Sequence, residues 1–101
     1  DLCERYQLAP DLVHIDTEGY DGKIVLSMDL ARYKPKLIVF EHEHLPEAEY
    51  AAVLARLREY RYQCVRWRRD TVCLRQGLWR LLAPRTRSAW RTAMQRERSR
   101  V

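Results

Sequence analysis

The stretch Leu12-Val13-His14-Ile15-Asp16-Thr17-Glu18-Gly19-Tyr20-Asp21 decides the fold. A short, mostly apolar run stops abruptly at acids and a glycine. Such a run reads as a buried strand whose C-terminal end delivers polar groups to a ligand crevice. The design recurs in Leu37-Ile38-Val39-Phe40-Glu41-His42-Glu43-His44, which starts 25 residues later. Two strands that end in carboxylates and imidazoles predict one working edge.

Working outward, Gly19 permits a tight turn after the first strand, Leu12 to Asp16. Asp21 is the expected N-cap of a short helix with Ile24, Val25 and Met28 on its apolar side. A further turn spans Asp29 to Tyr33, and Lys34-Pro35-Lys36 breaks it. The second strand, Leu37 to Glu41, has four successive apolar residues and is expected to be covered on both faces. Pro46 suits the first turn of a helix running to about Tyr60, with Tyr50, Val53, Leu54 and Leu57 as its core stripe. Tyr62 to Trp67 and Thr71 to Arg75 alternate in character and are joined by Arg68-Arg69-Asp70, a hairpin. The order strand, helix, strand, helix, hairpin predicts an α/β fold at the point where a parallel sheet turns antiparallel.

Charge and cysteine usage narrow the classes. Of the net +5, residues 1–75 carry 12 Lys+Arg against 13 Asp+Glu, and residues 76–101 carry seven Arg against one Glu. The basic character belongs to the tail, so two segments are expected: 1–76, the α/β domain, and 77–101, an Arg-rich helical tail. In the tail, Leu78, Trp79, Leu81 and Leu82 form an apolar turn that Pro84 interrupts, and Ser88 caps a last helix with Ala89, Trp90, Ala93 and Met94. Cys3, Cys64 and Cys73 make neither a disulfide framework nor a zinc pair; Cys64 and Cys73 are expected to face one another, reduced and buried. No run approaches the roughly 18 apolar residues of a membrane span. With no signal core either, the expected setting is cytoplasmic.

The residues His14 to Asp21 resemble the K-I-D-V-E-G-x-E signature of the FkbM family of S-adenosylmethionine-dependent methyltransferases. Lys34 to His42 resembles that family's R-P-x-x-I-x-x-E-x-H strand, and the hairpin ending at Thr71 to Arg75 fits its last two strands. The similarity covers roughly residues 8–75 and implies the C-terminal half of a class I, Rossmann-like sheet. Two departures are His14, where the family has Lys, and Asp21, where it has Glu. A third is larger: Gly19, Gly22 and Gly77 do not make the glycine-rich loop that holds the methionine part of the cofactor. The resemblance therefore implies a fragment of an enzyme, inactive in isolation, that transfers a methyl group to a hydroxyl of a small molecule or glycan. S-adenosylmethionine is the implied cofactor.

On that reading Asp16, Glu18 and His42 are the catalytic candidates, and Asp16 also contacts the cofactor. Glu41 and His44 are the acceptor-binding candidates, with a His as base for the hydroxyl. Plainer roles stand beside these: Asp16 as a cap for the turn, Glu18 facing solvent, His42 and His44 as loop residues before Pro46. The carboxylates and imidazoles are acceptable metal ligands, but without a third fixed ligand no metal is expected. The alternative function is a non-catalytic remnant or interaction module whose Arg-rich tail binds nucleic acid or an anionic surface. A solvated helix packed on the domain is the expectation for that tail.

In the sheet that the resemblance implies, the apolar strand Leu12 to Asp16 pairs with a strand that would lie upstream of Asp1, which leaves that edge without a partner in this sequence. Unpaired apolar edges recruit other strands. The 101-residue chain is accordingly expected to be poorly soluble or to pair with itself, as sedimentation over a concentration series will report. A monodisperse, cooperatively unfolding monomer would contradict this.

Overall fold

The computed structural model describes residues 11–16 and 20–100. Its elements are β1 (Leu12–Ile15), α1 (Asp21–Ser27), α2 (Leu30–Tyr33), β2 (Leu37–Glu41), α3 (Glu47–Glu59), β3 (Tyr62–Trp67), β4 (Asp70–Arg75), a 3₁₀ turn (Leu78–Leu81) and α4 (Pro84–Ser99). The four strands form one sheet in the order β1-β2-β4-β3. β1 and β2 are parallel, with Leu12 opposite Leu37 and Ile15 opposite Phe40. β4 runs antiparallel to both β2 and β3. The expected change from parallel to antiparallel pairing therefore falls between β2 and β4.

Side-chain alternation sorts the sheet into two faces. Ile15, Ile38, Phe40, Tyr62, Cys64 and Cys73 point to one face, where they pack with Val25 of α1 and Val53, Leu54 and Leu57 of α3. Val65, Trp67 and Val72 point to the other, where they line a small apolar cavity together with Thr86, Ala89, Trp90 and Ala93 of α4. A helix about 10 Å wide spans about two strands spaced ~4.8 Å apart. α4 lies over the hairpin side, and Leu37 and Val39 stay half-buried while Leu12 is 58% exposed. The expectation that β2 is covered on both faces is met only on the α1/α3 face.

Local chemistry explains most boundaries. Asp29 caps α2 by accepting the Arg32 N–H at 3.1 Å. Glu47 and Glu49 open α3, and Arg56 and Arg58 close it, as the helix dipole favours. The β3–β4 turn needs left-handed backbone at Arg68 (φ 56°), which costs a non-glycine residue about 1 kcal/mol or more. Gly22 has a packing role: a Cβ there would meet Glu49 and Leu45 side chains at 3.1–3.2 Å, so its hydrogen lets α1 approach α3. Cys64 and Cys73 are free, buried and directly opposite in register, as expected. Burial pushes the Tyr62 hydroxyl up to about 12, and it donates to the Pro35 carbonyl.

Two expectations change. Asp21 is not the N-cap of α1; Tyr20 holds that position. Asp21 is the first helical residue, turned inward and 1% exposed, and its Oδ2 accepts the Glu41 N–H at 2.9 Å. The tail helix begins at Pro84, not Ser88. Proline lacks only an N–H that the first turn leaves unused, so it starts this helix instead of interrupting it.

The Asp21 contact ties α1 to the end of β2, which dictates a stability test. Asp21→Ala leaves the Glu41 N–H without its acceptor and is expected to cost about 1–3 kcal/mol in denaturant unfolding. Asp21→Asn keeps an acceptor oxygen and is expected to cost less. Equal stability of Asp21→Ala and the parent would show that the contact contributes nothing.

Candidate functional site at the sheet edge

The C-terminal ends of β1 and β2 share an edge with the β3–β4 turn, because β4 runs against β2. Asp16 and Glu41 directly follow the register pair Ile15–Phe40, so they stand side by side at that edge. Asp16 is exposed and Glu41 half-buried. Glu18 lies outside the described residues. β2 ends at Glu41, and the His42 N–H donates to the Arg69 carbonyl at 2.9 Å, which fastens the strand end to the hairpin turn.

From there the chain turns, and the Leu45 N–H donates back to the His42 carbonyl at 3.1 Å. This turn separates the two histidines. His44 points to solvent, its Nε2 3.7 Å from Glu41 Oε1. Ligand atoms of Glu41, Glu43 and His44 lie within 4.8 Å of one another, but Glu43 is also engaged by Arg69 at 3.2 Å. Both Glu43 and His44 are exposed, as solvated groups commonly are.

His42 has a built environment. Its Nδ1 lies 2.9 Å from Thr71 Oγ1, and the Tyr50 hydroxyl lies 2.8 Å from the same oxygen. Thr71 is fully buried. The Tyr50 ring lies beside the imidazole at 5.4 Å between centroids, and the Arg66 guanidinium sits over it at 5.1 Å. Burial holds the His42 imidazole below its ordinary 6.5, and Arg66 lowers it further; Asp70 and Glu97 oppose, and Arg100 assists. Burial likewise raises the Tyr50 hydroxyl, against the pull of its bonds to Thr71 and Arg66. His42 is thus neutral near pH 7. Nδ1 is engaged by Thr71, and His42 lines a groove with Arg66, Trp67, Arg68, Arg96 and Arg100.

The sequence-derived candidates therefore divide. Asp16, Glu41 and His44 belong to the parallel-strand side, and His42 to the hairpin side with partners the sequence reading missed. Tyr50 was assigned to the core stripe of α3, and Phe40 does pack against its ring at 6.3 Å between centroids. The available signal was its hydroxyl, which needs a partner when the ring is buried. Thr71 gave none, since only the β2–β4 register sets it opposite Phe40.

The fit to S-adenosylmethionine is one-sided. Carboxylates at Asp16 and Glu41 suit hydroxyl or ammonium groups. Gly22, however, is filled by the α1–α3 packing, and Gly77 (φ 89°) follows β4 at the opposite end of the sheet, so neither cradles a cofactor. No helix among the described residues is long and apolar enough to cross a membrane.

No curated protein and no solved structure matches the chain. The family model described as methyltransferase FkbM domain matches residues 1–64, which take in β1, α1, α2, β2, α3 and the start of β3. With both strand-end motifs inside that match, the chain belongs to the FkbM methyltransferase family.

Proposed function

We propose that this chain supplies the acceptor-side part of an S-adenosylmethionine-dependent methyltransferase that methylates a hydroxyl of a small molecule or glycan. The observation that carries the reading is His42: its Nδ1 is held 2.9 Å from the buried Thr71 hydroxyl, and the residue lines a groove at the strand-end edge. The family match supports the reaction class. The strand order, parallel then antiparallel, supports placing the chain in the C-terminal half of a class I sheet.

S-adenosylmethionine supplies an electrophilic methyl group. The described residues do not complete its site, so they are assigned to the acceptor. His42 Nε2 takes the proton as the acceptor oxygen becomes a nucleophile, with Nδ1–H donating to Thr71 Oγ1. Thr71 in turn donates to Tyr50, the direction of the hydroxyl chain that goes with this tautomer. Asp16, Glu41 and His44 bind polar groups along the β1–β2 side. Glu18 is assigned to the same edge through its place in the motif. As the family resemblance implies, the cofactor-holding part is assigned to a separate half of the enzyme, and the 101-residue chain alone is expected to be inactive.

Calorimetry with S-adenosylhomocysteine tests this division. No saturable binding is expected for the chain by itself, and tight binding would overturn the assignment. In the protein that carries the chain together with its cofactor-holding half, His42→Gln is expected to lower kcat about 100-fold with little change in cofactor affinity. Because the base works when neutral, the rate falls as pH drops through the lowered His42 value. The acid limb of the kcat/KM profile, which reports the free enzyme, is therefore expected below 6.5. Unchanged kcat in His42→Gln would remove His42 from the reaction.

A further inference from the structure

The groove beside His42 is cationic in a way that proton removal does not require. It encloses about 520 Å³ and is lined by His42, Arg66, Trp67, Arg68, Arg96 and Arg100. These residues come from three places: the end of β2, the β3–β4 hairpin and the last turn of α4. Glu97 is the only carboxylate in residues 76–101. It accepts the Arg66 backbone N–H at 2.9 Å and pairs with the Arg66 guanidinium at 3.8 Å and with Arg100 at 2.6 Å. One carboxylate is thus shared by two guanidiniums. Among the described residues, no carboxylate forms an ion pair with Arg68 or Arg96. Asp70 acts on His42 from the hairpin, against the arginines.

Guanidiniums gathered round one groove repel each other unless an anion joins them. Their planar forks match the oxygens of a phosphate group. The volume suits a small ligand, and the Trp67 ring, 53% exposed, offers an apolar wall. A polynucleotide would instead need a track of free cations along the surface. The tail's other cations are divided: Arg87 donates to the Arg80 and Leu82 carbonyls at 3.1 and 3.2 Å, and Arg91 and Arg98 line a different pocket with Trp90.

We propose that this groove binds the phosphate of a phosphorylated acceptor and so presents its hydroxyl to His42. The assignment of the ligand as an acceptor rests on the methyl-transfer reading; the phosphate site itself does not.

The test is calorimetric titration of the 101-residue chain with inorganic phosphate, in a buffer free of other oxyanions. One saturable site is expected. Arg68→Gln and Arg96→Gln are each expected to weaken it about tenfold, the loss of a charge-assisted hydrogen bond. Arg91→Gln, on α4 but outside the groove, is expected to leave it unchanged. Circular dichroism checks that each variant is folded. Absence of saturable binding overturns the proposal, as does an equal loss in Arg91→Gln, which would mean a diffuse field. So does tight, steeply salt-dependent binding of a single-stranded oligonucleotide that phosphate fails to displace. The two readings fail separately. Methyl transfer to an unphosphorylated hydroxyl without phosphate binding sinks only the groove. Phosphate binding without methyl transfer in the complete protein supports the groove and sinks the methyl-transfer reading.

Discussion

Everything at the candidate site hangs on where β2 ends. Among the described residues, β2 is the strand that pairs in parallel on one side and antiparallel on the other, and its end is held from both. Asp21 accepts the Glu41 N–H from the α1 side, and the Arg69 carbonyl accepts the next N–H, of His42, from the hairpin side. These bonds stop the strand and start the turn that carries Glu43, His44 and Leu45. Without that stop, His42 and His44 would continue a strand and point the same way. With it, His42 turns to buried Thr71 and His44 to water.

The tail depends on a comparable detail. β3 is an edge strand, so some of its N–H groups face outward and need acceptors. Glu97 provides one, at Arg66, and so pins the last turn of α4 to the sheet edge. The same carboxylate draws in the Arg66 and Arg100 guanidiniums. One acid among seven arginines thereby decides where the cations gather. On the apolar side, Ala93 of α4 is buried and lines a small cavity with Val65 and Val72 of the sheet.

The strand–helix–strand–helix–hairpin order was legible because its signals are local: apolar runs, a helical stripe at Val53, Leu54 and Leu57, and a hairpin turn. Pro84 and Asp21 were misread for the same reason. A proline can start a helix or break one, and an aspartate can cap a helix or turn inward; the choice depends on neighbours far along the chain. The site was legible as a set of strand-end residues but not as a mechanism. His42, Tyr50 and Thr71 meet only after β2 pairs with β4 and α3 packs across them, at separations of 21 and 29 residues. Arg66 was visible only as one position in an alternating strand.

Burial and the Arg66 charge favour the neutral form of His42 at the sheet edge, where Thr71 orients its ring. The most direct measurement is an NMR pH titration of the His42 ring, in the parent chain and in Arg66→Gln. The account predicts a parent midpoint below 6.5, set mainly by burial, that moves upward when the Arg66 charge is removed. A parent midpoint at or above 6.5, or one indifferent to Arg66, would contradict it.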